Sequence, residues 1–285
     1  MLMLLASVLF AGSGAMIKII SASLPNEMVV FFRNIVGLAI LLPWLIHNGL
    51  TSLNTRHFRF HLLRALLGLA AMYSYFYAVA HMHLAEAILL NYSTPLFMPF
   101  IGLLWLGERI PYKLWGITGL GFVGIALILK PGLDLFMPVS LIGLAAGLFS
   151  ALSMVNIRRL TRTESVTRIV FYFSFIAALV STIPLLWRWQ TPAPALWGGL
   201  ITIGVLSTLG QLLLTRAYAH ASIAQVGPFI YTTVIFAGLI DWILWRETLG
   251  LLSFAGAALV CFAGILTIRH ANAAPGDAAL NRAIS

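Results

Sequence analysis

The residues capable of chemistry in this chain are few, and most lie within long apolar stretches. Arg33 sits seven residues beyond Asn26, roughly 10 Å along a helix, and Asp241 lies five residues before Arg246. An ionised side chain at the centre of a membrane helix costs about 2.5–3.5 kcal/mol on insertion scales, so such groups point to function. Arg33, Glu86 and Asp241 are therefore read as gating or coupling residues, with Arg33 and Asp241 as an ion pair able to close one end of a bundle. Glu86 and Asp241 are the carboxylates at membrane depth that could carry a coupling proton. Lys18 and Glu86 stand near helix ends, where snorkelling to the interface competes with that role.

A second set is polar and uncharged. Asn91-Tyr92-Ser93-Thr94 precedes Pro95, and Tyr231-Thr232-Thr233 follows Gly227-Pro228. Proline removes a backbone donor and frees a carbonyl four residues earlier, a distortion tolerated where backbone lines a cavity or finds protein partners. Asn91, Tyr92, Tyr231 and Thr233 are candidate substrate-binding or translocation residues, and so is Gln211, deep in a later apolar run. Tyr73 and Tyr77 share a helix face at i, i+4 and could wall a site for an amphipathic solute; Tyr75 points away from that face. Helix-to-helix hydrogen bonding without substrate is the competing reading for all of them.

Other chemistries find no support. His81 and His83 are two apart and do not share a helix face, Ser13 has no placed histidine partner, and no HExxH motif occurs. No catalytic residue, metal site or cofactor is therefore expected, and an enzyme is disfavoured. ATP coupling lacks a Walker A motif, and a channel lacks a filter-like loop or ring of charges. Cys261 is alone, which excludes an intramolecular disulfide.

The elements that position these residues follow from composition. Of 285 residues, 61% are hydrophobic and 9% charged, against about 25% charged in an ordinary globular domain. Charge-free runs near the roughly 20 residues of a membrane-spanning helix recur along the chain. The best segmentation is ten helices near 2–22, 26–47, 62–81, 84–106, 112–130, 136–157, 168–187, 195–216, 222–244 and 249–269, with residues 270–285 as a flexible tail. With the N-terminus inside, only Lys18, Arg33, Lys130, Arg188 and Arg246 fall outside, against twelve basic residues inside, so both termini are expected in the cytoplasm. The net charge of +9 then reflects loop retention, not nucleic-acid binding. Gly143-x-x-x-Gly147 and the series Gly116, Gly119, Gly121, Gly124 are read as close helix contacts, within one chain or in a homodimer.

A shift of 139 residues sets Leu5-Ala6 on Leu144-Ala145 and Leu9-Phe10 on Leu148-Phe149. The same shift sets Ala85, Tyr92, Thr94, Phe97, Ile101 and Glu108 on Ala224, Tyr231, Thr233, Phe236, Ile240 and Glu247. A five-helix unit is odd in number, so a second copy enters the membrane from the opposite face. The predicted architecture is an all-α polytopic membrane protein of two inverted five-helix repeats, 1–130 and 136–269. Inverted repeats of this kind are characteristic of secondary transporters.

Leu84-Ala85-Glu86-Ala87 through Pro95-Leu96-Phe97, then Leu106-Gly107-Glu108-Arg109 and the Gly-rich Gly116 to Leu129, resemble the EamA domain of the drug/metabolite transporter superfamily. Ser222-Ile223-Ala224-Gln225 through Trp245-Arg246-Glu247-Thr248 resembles a second EamA unit, and Phe32-Arg33 is similar to the family pattern. The resemblance implies a ten-helix inner-membrane carrier with a central cavity between its halves. It would move a small metabolite, such as an amino acid, by alternating access, in the export direction, with uptake as the alternative. Arg246 stands where the first copy has Gly107, and Pro228 has no counterpart at Leu89, so the two halves are expected to bend differently.

Overall fold

The computed structural model describes residues 1–94, 96–97, 100–101, 112–129, 138–161, 163–220, 231–246 and 250–273. Pro95, Glu108, Gly227, Pro228 and Glu247, named above, lie outside the described residues. Among the described residues, ten α-helices form: α1 (Leu2–Ser21), α2 (Asn26–Asn48), α3 (Phe58–His81), α4 (Leu84–Asn91), α5 (Tyr112–Leu129), α6 (Pro138–Leu160), α7 (Val166–Arg188), α8 (Trp197–His220), α9 (Thr232–Trp245) and α10 (Leu251–Ala273). Six of them, α1, α2, α3, α6, α7 and α8, contain segments long and apolar enough to cross a bilayer.

The punctuation works as local chemistry requires. Pro25, extended at φ −59° and ψ 148°, caps the start of α2, and Gly49 ends it at φ 72°, a left-handed conformation that glycine adopts without strain. Ser165 caps α7, its hydroxyl accepting from the Arg168 amide. Arg246 closes α9 at φ 57° and ψ 21°, the sole non-glycine positive φ among the described residues. The residue that departs from the repeat pattern thus occupies the backbone position where glycine is favoured.

Burial is inverted relative to a water-soluble bundle. Leu179, Ile183, Leu186, Ile235, Leu251 and Phe254 are exposed, whereas Ser7, Ser13, Asn34, Ser181, Thr208 and Thr233 are buried. An apolar exterior suits lipid, and small polar residues inside let helices approach and exchange hydrogen bonds. The Ser13 and Ser207 hydroxyls meet at 2.6 Å between α1 and α8. The main cross-chain pairings are α3 on α6, α1 on α8, α5 on α10, α2 on α7 and α8, α3 on α7, α1 on α9, α4 on α6 and α4 on α9. A Cβ on Gly147 would fall 2.6 Å from the Leu90 carbonyl oxygen, so α4 and α6 approach backbone to backbone there. The Gly116–Gly124 series divides: Gly121 and Gly124 are in close contact, but Gly116 and Gly119 face open space.

One end of the bundle is tied by its connections. Thr55 donates to Glu164 at 2.5 Å, Arg168 binds the same carboxylate and also donates from Nε to the Ser52 carbonyl, and the Tyr172 hydroxyl donates to the Leu53 carbonyl. This joins the α2–α3 connection to the α6–α7 connection. Burial alone would raise the Glu164 carboxyl. The Thr55 and Arg168 hydrogen bonds and the neighbouring positive charge outweigh it and hold the group below its usual range.

Three outcomes follow from this packing. Gly147→Val should lower the thermal midpoint in detergent by the equivalent of about 1–3 kcal/mol, the usual scale of overpacking, whereas Gly119→Ala should leave it unchanged. Arg246→Gly should raise stability by about 1 kcal/mol by removing a left-handed side-chain penalty. A depressed carboxyl contributes stability that is complete above its unfolded value, near 4.3, and is lost as pH falls through the folded value. The gap in thermal midpoint between wild type and Glu164→Gln should therefore be constant from pH 7 to about pH 5 and vanish in stronger acid.

Candidate functional site

The candidate residues sort into three places. The first lies near the end opposite the Glu164 tie, where α1, α4 and α9 converge. Lys18 Nζ stands 3.3 Å from Asp241 Oδ1 and 4.4 Å from the centre of the Trp245 ring. Asp241 Oδ2 accepts the Ala85 amide at 2.9 Å. That amide is one of the unpaired donors at the start of α4, where helix polarity favours negative charge. The Asp241 carboxylate, 4% exposed, therefore joins three helices from distant parts of the chain. The expected Arg33–Asp241 pair does not form. Lys18, the more peripheral cation by sequence, takes the carboxylate because α1 packs on α9 while α2 packs on α7 and α8. Next to this cluster, Glu86 is buried and accepts the Ser253 hydroxyl at 2.6 Å, fastening α4 to α10.

The second place is the break in α4. The helix is interrupted after Asn91 by a turn at Tyr92 and Ser93, and the chain is helical again at Thr94, Leu96, Phe97, Phe100 and Ile101, within the span expected to residue 106. Pro95 has no N–H, so the Asn91 carbonyl loses its helical donor. The Thr94 hydroxyl supplies a replacement, donating to Asn91 O at 2.8 Å, and it also approaches Gly147 O at 3.1 Å. The Ser93 hydroxyl turns back to Leu90 O at 2.6 Å. The Asn91 side chain is thereby left facing α6, where its Oδ1 accepts from Ser150 at 2.9 Å. Tyr92 and Tyr231, matched by the repeat, pack into one cluster with Met3, Phe10 and Leu214. Gly264 makes room for the Tyr231 phenol, which lies where its Cβ would be. Thr233 is fully buried in the next turn.

Tyr73, Tyr77 and Gln211 are placed apart from that break. The Tyr73 carbonyl accepts from Asn26 at 3.0 Å, and the Tyr77 ring stacks on His81 at 4.2 Å. Gln211 turns toward Thr215 on its own helix. Sequence reasoning passed over Tyr75, which faces inward: its hydroxyl lies against Gly14, and it is near enough to Tyr92 to interact electrostatically. The i, i+4 rule correctly separated Tyr75 from Tyr73 and Tyr77, but could not say which face was interior.

The third place surrounds Arg33. This side chain is 4% exposed, donates from Nη1 to Asn34 Oδ1 at 2.8 Å, and lies 5.2 Å from the centre of the Phe173 ring. On the same ring, at 4.1 Å, lies the guanidinium of Arg64, which is 5% exposed. Arg64 is one of the twelve basic residues counted on the cytoplasmic side, near the start of a helix expected from about residue 62. The helix begins at Phe58, which carries Arg64 roughly 9 Å along it. Among the described residues no group of three or more His, Cys, Asp and Glu side chains could hold a metal ion.

Comparison with known proteins places this architecture. The profile of the EamA-like transporter family matches residues 1–130 and again 137–269. A pseudopaline exporter of Pseudomonas aeruginosa is 35% identical over 94% of this chain and 95% of its own. An S-adenosylmethionine uptake transporter of Rickettsia bellii is 27% identical over 93% and 91%, and a riboflavin transporter of Vibrio cholerae 30% over 85% and 83%. A crystal structure at 18% identity superposes with a TM-score of 0.67 over 94% of this chain, a likeness of fold. With two family matches in tandem and relatives that span its length, this multi-pass membrane chain belongs to the EamA-like transporter family.

Proposed function

We propose that the protein is a secondary transporter that exports a small metabolite across the inner membrane by alternating access between two inverted five-helix repeats. The observation that carries this reading is the pattern of helix pairing. Exchanging each helix for the one five places on turns α3·α6 into α8·α1, α2·α8 into α7·α3, and α1·α9 into α6·α4. It leaves α5·α10, α2·α7 and α4·α9 as they are. A bundle built this way has two related packings, which is what exposure of one site to either side requires. The repeats are 1–130 and 136–269, with both termini and the 270–285 tail in the cytoplasm.

The two ties described above then act at opposite ends of the path. Lys18, Asp241 and the α4 N-terminus hold the outer end, and Glu86 and Asp241 are the carboxylates on which a proton could couple to that movement. Asn91, Tyr92, Tyr231 and Thr233, next to the α4 break, contact the solute, with Tyr75 beside them. Tyr73, Tyr77 and Gln211 lie at the margin. Export follows the pseudopaline exporter, the most similar of the three relatives described; the S-adenosylmethionine uptake transporter stands for the reverse direction.

Two measurements test this. Metabolite profiling of medium from overexpressing and deletion cells should show a small solute enriched several-fold outside the overexpressing cells. An unchanged medium with faster uptake of a labelled solute would reverse the direction. For the outer tie, Asp241→Asn should destabilise the protein and cut transport by about tenfold or more, because it removes the buried partner of the Lys18–Asp241 ion pair. Lys18→Met combined with Asp241→Asn should recover the thermal midpoint but not the transport. Full recovery of both would show the pair to be structural only.

A further inference from the structure

The Arg33–Arg64 cluster is built as a receptor for negative charge that the described residues do not supply. Arginine remains protonated even when buried, and a buried charge is retained at low cost only where an opposite charge or a full set of hydrogen bonds meets it. Among the described residues, neither guanidinium meets a carboxylate. Arg33 has the Asn34 amide oxygen, and Arg64 Nε is buried with no hydrogen-bond partner. The two cations are close enough to repel one another, yet both lie against the same aromatic ring, that of Phe173.

The surroundings add no carboxylate among the described residues, but they add hydroxyls able to donate. Asn34 is oriented by its own donation to Val30 O at 2.8 Å, so its amide oxygen faces Arg33 and holds the guanidinium in place. One turn along the same face of α2, Gly37 leaves space into which Thr208 Oγ1 and Ser174 Oγ point, 2.8 and 3.3 Å from where a Cβ would stand. Both hydroxyls are buried without a partner. Gly68 does the same for Arg64: its missing Cβ is the place the Arg64 Nη1 occupies, with Phe173 Cε2 at 2.9 Å. Two arginines, two orphan hydroxyls and two vacant Cβ positions fall where α2, α3, α7 and α8 meet.

We propose that Arg33 and Arg64 form the subsite that takes an oxyanion, a carboxylate or phosphate group, of the transported solute. This rests on the transporter reading above and names the substrate class of the same pathway. Planar guanidinium groups bind such oxyanions through paired, charge-assisted hydrogen bonds. Binding would cancel the repulsion between the two cations and draw α2 and α3 of the first half onto α7 of the second. The occupied site would then favour a different packing of the halves from the empty one, which is the condition for a ligand to shift a conformational equilibrium.

The test compares metabolites moved by wild type, Arg33→Gln, Arg64→Gln and the Arg33→Lys/Arg64→Lys double variant, with membrane abundance checked by immunoblot. The expected result is that every solute changed at least threefold by wild type carries a carboxylate or phosphate ionised at pH 7, told apart by fragment mass. Movement should fall at least tenfold in each Gln variant and return in part with the Lys pair. Solutes lacking any acidic group, or Gln variants within twofold of wild type, would overturn the subsite and leave the transporter reading standing. No solute moved by wild type at all would overturn both. If the Gln variants fail to reach the membrane, proteoliposomes of wild type decide with the identified acid and its primary amide, and equal rates would overturn the proposal. A phospholipid that co-purifies with wild type in native mass spectrometry and is lost from Arg64→Gln would assign the site to a headgroup instead, and would also overturn it.

Discussion

A charge inside an apolar bundle must be met by an opposite charge, a helix terminus or a ligand, and the arrangement of this protein follows from how each charge is met. Asp241 is met twice, by Lys18 and by the Ala85 amide at the start of α4. Glu86 receives the Ser253 hydroxyl, and Glu164 receives Thr55 and Arg168. Apart from the local Glu164–Arg168 pair, these contacts join segments far apart in sequence, so satisfying the charge also sets which elements touch. Removing one partner from such a site costs more than the interaction was worth, because the remaining group stays buried. Arg33 and Arg64 are the exception, since their counter-charge does not come from the described residues.

The break in α4 depends on the same accounting, applied to backbone. Pro95 deprives Asn91 O of its helical donor, and in a bundle without water that carbonyl must be paired by a neighbour. Thr94 pairs it, and the Asn91 side chain is turned toward Ser150 on α6. The same contacts hold the turn that interrupts the helix and set the orientation of a candidate binding residue. Gly147 completes the arrangement, because α6 can approach Leu90 O only where a Cβ is missing.

The two ties differ in composition in a way that suits different work. At the Glu164 end the α2–α3 connection is held by Glu164 in the α6–α7 connection and by Arg168 and Tyr172 in the first turns of α7, through one carboxylate, two backbone carbonyls and a tyrosine hydroxyl. At the Asp241 end they are made within helices, through a buried ion pair and a helix start. The first can open by movement of short segments. The second requires α1, α4 and α9 to separate together.

Much was legible without coordinates, because it depends on neighbours along the chain. Apolar runs of bilayer length, proline and glycine punctuation, and the 139-residue offset led to ten helices and to the transporter family, and ten α-helices form among the described residues. The prolines and polar runs also pointed to the place where α4 breaks. Which cation meets Asp241 was not legible, since Lys18 and Arg33 lie on consecutive helices and only packing brings α1, not α2, against α9. Nor was the inward turn of Tyr75, since periodicity defines a face but not what it faces. Arg64 was hidden for a related reason: a shift of four residues in the start of α3 moves its side chain from the rim into the bundle. Sequence determined the elements and the scarcity of charge, because both follow from local composition. Tertiary structure decided how each charge is met, because that depends on the distance between residues far apart in the chain.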